Sequence, residues 1–200
     1  MKVTRKRSGR SYGAGMLAWS LLLVAVLALA GCGAGNDAAD TPEQVERPDN
    51  GTAVDESRQG DFVYRLIVHP PDEQAEGKPT LSAELEYVGD KDEATIYHAA
   101  SPFYFFLKET TRDYDLGYMM NQPLISTKMK KGEAIRETYK GSGGYSDKDS
   151  QAYIDFVNEL VKNGFPSGQY EAAGKADFYT QEDGNKQEYT IAGKVAFTVN

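Results

Sequence analysis

Nucleophilic or acid–base chemistry in this 200-residue chain would have to come from two histidines, a single cysteine, a glycine-flanked serine or some of 30 acids. A nucleophile elbow requires Gly-x-Ser-x-Gly where a strand turns into a helix. Gly141-Ser142-Gly143-Gly144 has the composition without the spacing and predicts a flexible loop ahead of a helix. His69 and His98 could pair as base or metal ligand. Each closes an apolar segment, His69 just before Pro70-Pro71, which predicts partly exposed residues at strand ends. Acids cluster at Asp90, Asp92 and Glu93, at Asp113 and Asp115, and at Asp147 and Asp149. A calcium loop needs several oxygens converging around a Gly-assisted turn. None of these clusters has that spacing, so they read as solvated charge, with Asp147 and Asp149 favoured by the dipole of a helix's first turn. Glycoside hydrolysis needs a carboxylate pair, and order along the chain does not single one out. No metal or cofactor is implied, and no catalytic set emerges.

The sole thiol, Cys32, stands apart. Before it lie Lys2, Arg5, Lys6, Arg7 and Arg10 with no acid, then an apolar run over 16–30 broken only by Ser20. A basic head, a short apolar stretch and small residues are the parts of a secretory signal. Fifteen residues fall short of the roughly 20 that a spanning helix wants. Leu29-Ala30-Gly31-Cys32 resembles the lipobox of bacterial lipoproteins. The resemblance implies that the peptidase reads Leu29, Ala30 and Gly31, that residues 1–31 are removed, and that Cys32 carries lipid. Two or more acyl chains, at about 0.8 kcal/mol per buried CH₂, give stable anchoring. The expected location is thus the extracytoplasmic face of a cell membrane, with the protein attached to the bilayer and not crossing it.

Cleavage would sharpen the charge. Five of 22 basic residues precede Cys32 and all 30 acids follow it, so the mature balance is 17 − 30 = −13. Such a surface repels nucleic acid and anionic headgroups, which excludes a DNA or RNA groove. With Cys32 acylated no disulfide is possible. Residues 33–60 are rich in Gly, Asp, Glu and Pro and lack apolar periodicity. They predict, with Cys32, a disordered tether over 32–60. At about 5–6 Å times the square root of its length, such a tether spans roughly 30 Å.

The folded body is expected over 61–200. Leu81, Ala83, Leu85 and Tyr87 alternate with polar residues, as do Tyr189, Ile191, Gly193, Val195, Phe197 and Val199, which is the strand period. Denser apolar runs at 62–68 and 103–107 suit central strands. A further strand at 170–179 joins the last one through Glu182-Asp183-Gly184-Asn185, a hairpin signal. Shorter strands are expected at 94–98, 114–119 and 135–140. One helix over about 147–162 follows from Ser146 and Asp149 as a capping box. Tyr153, Phe156, Val157, Leu160 and Val161 would form its apolar face, with Gly164 and Pro166 after its end. A single helix among seven or eight strands predicts a mainly β, immunoglobulin-like antiparallel sandwich with one inserted helix.

Pro166-Ser167-Gly168-Gln169-Tyr170, ahead of an alternating strand, resembles the late strand of bacterial immunoglobulin-like domains, where a tyrosine after a Gly-containing turn closes the sandwich corner. The order 81–87, Gly89-Asp90, 103–108 and Lys131-Gly132-Glu133 is also similar to the bacterial intracellular-proteinase-inhibitor (BsuPI-like) family, an immunoglobulin-like sandwich. Three functions follow as expectations. The first is a non-enzymatic binding module for a protein or cell-envelope partner. The second, implied by the family resemblance, is a proteinase-inhibitor-like module. The third is an enzyme acting on cell wall or carbohydrate. Twelve tyrosines remain after Cys32, of which Tyr97, Tyr104, Tyr118 and Tyr145 exceed what alternation requires. Tyr118, Met119, Met120 and Tyr145 are the expected interaction surface.

Overall fold

The computed structural model describes residues 52–71 and 77–200. The expected signal, the lipobox, Cys32 and most of the tether lie outside the described residues. Within them the chain is mainly β, with antiparallel strand pairing and one helix. Ten strands run in order: β1 Ala53–Gln59, β2 Phe62–His69, β3 Thr80–Tyr87, β4 Glu93–His98, β5 Phe103–Glu109, β6 Tyr114–Leu116, β7 Ile125–Lys130, β8 Ile135–Thr138, β9 Gly168–Glu182 and β10 Asn185–Val199. The helix α1, Gln151–Asn163, lies between β8 and β9.

The strands form a sandwich. One sheet has the order β1-β2-β3-β8. The other is built on the long hairpin β9–β10, paired from Gly168↔Val199 to Glu182↔Asn185. Its turn needs positive φ at both central positions, which Asp183 (φ 48) and Gly184 (φ 82) adopt. The remaining edge of β9 serves two strands end to end: β5 pairs with residues 170–176, and Ile96 and Tyr97 of β4 pair with Thr180 and Tyr179. Residues 99–102 break the run, and there the Asp177 N–H donates to the Pro102 carbonyl at 2.8 Å. β7 flanks β4 and β6 flanks β5.

Alternation places the core between the sheets. Phe62, Tyr64, Leu66 and Val68 of β2 and Leu81, Ala83 and Leu85 of β3 face Phe103, Phe105, Leu107, Ala172, Ala176 and Phe178 from the other side. Each large side chain fully buried contributes about 1.5–3 kcal/mol. In a chain with one cysteine, that burial has no disulfide to assist it. The Tyr170 hydroxyl donates to the Pro166 carbonyl at 2.7 Å, closing the corner where the chain enters β9.

Three expectations are corrected. The folded body begins before 61, because β1 pairs residue for residue with β2 from Ala53↔Val68 to Gln59↔Phe62. This strand lacks an apolar stripe because its side chains serve an edge: Asp55 Oδ2 accepts the Lys194 N–H at 2.6 Å and Gln59 Oε1 accepts the Thr190 N–H at 3.2 Å, both on β10. The helix starts at Gln151, not 147. The Asp149 carboxylate accepts the Ser146 N–H (2.6 Å) and Oγ–H (3.0 Å), making a separate turn. Ser150 is the N-cap, taking the Tyr153 N–H, and the first helical turn holds no acid. Finally, the strand foreseen over 114–119 stops at Leu116 and the one over 135–140 at Thr138, while β7 was not foreseen, since only Met129 of its six residues is buried.

The helix is the crossover from β8 to β9. It buries Phe156, Val157 and Leu160 and leaves Val161 52% exposed. Tyr114 of β6 meets Tyr153 and Phe156 edge-on at 5.1 and 5.2 Å. The glycine loop ahead of the helix is a packing surface. A Cβ on Gly143 would come within 2.9 Å of Val157 Cγ1, and one on Gly141 within 3.0 Å of the helix backbone.

Candidate functional site

Both histidines, Ser142 and several of the candidate acids are engaged in structure. His98 ends β4 as expected but is buried and not partly exposed, with Nδ1 2.8 Å from the Ala99 carbonyl and Nε2 2.8 Å from Thr127 Oγ1. Both nitrogens are occupied in holding the β4–β5 break. His69 is half-buried on the other sheet with Nε2 2.7 Å from Ser82 Oγ. Ser142 donates its N–H to the Tyr139 hydroxyl at 2.7 Å and has no histidine among its hydrogen-bond partners. Glu93 pairs with Lys128 at 2.7 Å and Asp113 with Lys108 at 2.6 Å. Among the described residues no three His, Cys, Asp or Glu side chains converge to hold a metal ion. No helix there is long and apolar enough to cross a membrane.

What the fold does assemble is an aromatic face on the outside of the second sheet. Core residues of β4, β5 and β9 alternate with outward ones, and pairing brings the outward ones side by side: Tyr97 against Tyr179, and Tyr104 against Lys175. The first pair stacks, centroids 5.0 Å apart and planes 14° from parallel. Lys186 Nζ stands 4.2 Å from the Tyr179 centroid and Lys175 Nζ 4.8 Å from that of Tyr104. Phe106, 46% exposed, lies parallel to Tyr104, and Tyr118 meets both edge-on.

Between the two aromatic positions lies a groove of about 330 Å³. His98 and Ala99, where the strand pairing breaks, line one side, and Gln122, Pro123 and Leu124 overhang it. The overhang is tied down. The Ala100 N–H donates to the Asn121 carbonyl at 3.3 Å, and the Ser101 N–H to Met120 Sδ at 3.2 Å. Gln122 Nε2 reaches the Tyr104 hydroxyl at 3.4 Å. Two ion pairs stand at the groove: Asp177 of its lining with Lys175 beside it at 2.6 Å, and Lys186 with Glu188, both of its lining, at 2.7 Å. Asp177 and Glu188 are thus two carboxylates in one cleft, each neutralised by its own lysine.

Of the four residues expected to form an interaction surface, Tyr118 joins the aromatic face and Met119 beside it is 88% exposed. Met120 is half-buried and structural, its thioether serving the strand break. Tyr145 belongs elsewhere, with its hydroxyl donating to Asn158 Oδ1 of α1 at 3.1 Å. Cys32, with Leu29, Ala30 and Gly31, lies outside the described residues. Tyr179, Lys175, Asp177 and Lys186 were not singled out beforehand. Their signal was their place on the polar half of strands whose other half is core.

The chain matches no family model and no curated protein. Among solved structures it is similar to one described as a protein from Archaeoglobus fulgidus, at 7% identity and a TM-score of 0.31, over 74% of this chain and 95% of that one.

Proposed function

We propose that this protein is a non-enzymatic binding module, lipid-anchored through Cys32 on the outer face of a cell membrane, that engages a cell-envelope partner through its aromatic face. The supporting observation is the groove between Tyr97–Tyr179 and Tyr104, where rigid rings stand partly exposed around internally paired charges. Rings held by stacking lose little conformational freedom on binding, which is why such side chains dominate interfaces. Each groove carboxylate already holds a lysine, Asp177 with Lys175 and Glu188 with Lys186.

Anchoring and binding are tested separately. Cys32→Ala is expected to move the protein out of the detergent-extractable membrane fraction and to abolish acyl-chain incorporation; retention of labelled lipid would defeat the anchor. Tyr97→Ala with Tyr104→Ala is expected to lower co-sedimentation with protein-stripped envelope material, and undiminished sedimentation would defeat the binding face.

A further inference from the structure

The groove's chemistry narrows its occupant. We infer that it takes a neutral saccharide chain, an inference that rests on the binding reading above. The two lysines and two carboxylates in and beside the groove pair with one another, so it offers no excess charge to an anion or a cation. The surrounding body is acidic, which further disfavours an anionic ligand. What remains is a combination of aromatic ring surface with donors and acceptors of both kinds: the Gln122 amide, three tyrosine hydroxyls, and the lysine and carboxylate heads. A ligand that uses both must present C–H faces and many hydroxyls without net charge, and a sugar does so.

The dimensions point to a chain of sugars and not a single ring. Tyr104 pairs with Lys175 and Tyr97 with Tyr179, so the two aromatic positions stand four β9 residues apart. At about 3.3–3.4 Å per residue that is roughly 13 Å. The groove is open to solvent, with Leu124 at its lip 72% exposed, so a chain longer than one sugar can lie in it. Both ends are rigid, the first by cross-strand stacking and the second by contacts to Lys175, Phe106 and Tyr118.

The test is titration of the full chain in detergent with cellotetraose, N-acetylated chitotetraose, maltotetraose and xylotetraose, alongside tetragalacturonate and tetralysine as charged comparators. At least one neutral tetrasaccharide is expected to bind at millimolar concentration or better, shifting the backbone amides of the non-proline residues in 97–104, 122–124 and 177–188. Tyr97→Ala and Tyr104→Ala are each expected to weaken it about tenfold, while Tyr104→Phe, which keeps the ring, stays near wild type. Should a ring variant fail to fold, Gln122→Ala on the overhang carries the same expectation of weakened binding. The inference is overturned if no neutral sugar shifts those amides, if a charged oligomer shifts them equally, or if both ring variants bind normally. Co-sedimentation separates this failure from failure of the wider reading. If ring variants lose the envelope material but free tetrasaccharides never compete for it, the binding face stands and the saccharide falls. If ring variants sediment as wild type, both fall.

Discussion

Tyr64 carries its hydroxyl into the core without a hydrogen-bond partner, fully buried. Burial raises the phenol's pKa, and the nearby Asp55 carboxylate raises it further. The hydroxyl points at Gly174, where an added Cβ would overlap it and approach Leu66 Cδ1 to 2.8 Å. An unpartnered buried hydroxyl contributes nothing to offset its desolvation. Tyr64→Phe is therefore expected to match or exceed wild-type stability by up to about 1 kcal/mol in urea titration. Gly174→Ala should cost about 1–3 kcal/mol by overpacking, and Tyr64→Phe should recover part of that loss in the double variant. Glu109 is the opposite case, buried and fully used. It accepts N–H groups from Thr111 (2.9 Å), Arg112 (2.8 Å) and Gln169 (3.3 Å) and an ion pair from Arg112 (3.2 Å). Burial alone would raise its pKa, but these bonds outweigh burial and leave it below the ordinary carboxylate value. A lowered folded pKa stabilises above the unfolded value of about 4.3 and loses that contribution as pH falls through the folded one. Glu109→Gln should accordingly be less stable than wild type at neutral pH, with the gap closing below about pH 4.

At the scale of elements, local caps decide boundaries. Ser150 Oγ accepts the Tyr153 N–H at 3.3 Å, and the Gly164 N–H returns to the Leu160 carbonyl at 3.1 Å. Ser150→Ala should cost about 1 kcal/mol, whereas Ser146→Ala, outside the helix, should cost less; thermal melts of the pair decide which residue is the cap. The helix and its terminator Gly164 were legible because apolar period and stop signals sit within a few residues of each other. Which serine caps was not, because Ser146-Asp147-Lys148-Asp149 and Ser150-Gln151-Ala152-Tyr153 both offer a hydroxyl to an N–H three residues on, and only packing of Phe156 and Val157 sets the helix phase.

For the molecule as a whole, β1 is the revealing part. Deleting everything before Asp61 would strip the outer edge from β2 and leave the Thr190 and Lys194 N–H groups of β10 without acceptors. Exposed edges pair with other chains. Such a truncation is expected to aggregate or to lose a cooperative melt, while one beginning at Thr52 melts as the full chain does.

Sequence alone determined the mainly β character, the hairpin at Asp183-Gly184 and the single helix, since each rests on periodicity or on residues a few positions apart; the corner role of Tyr170 was implied by the resemblance to immunoglobulin-like domains. Tertiary structure alone decided that the polar segment 53–59 is a strand, that His98 is walled in, and that Tyr97, Tyr104, Lys175 and Tyr179 share one face. Those facts depend on pairing between residues far apart in the chain, 82 positions in the case of Tyr97↔Tyr179, and in an antiparallel sheet register is set by the whole buried face at once.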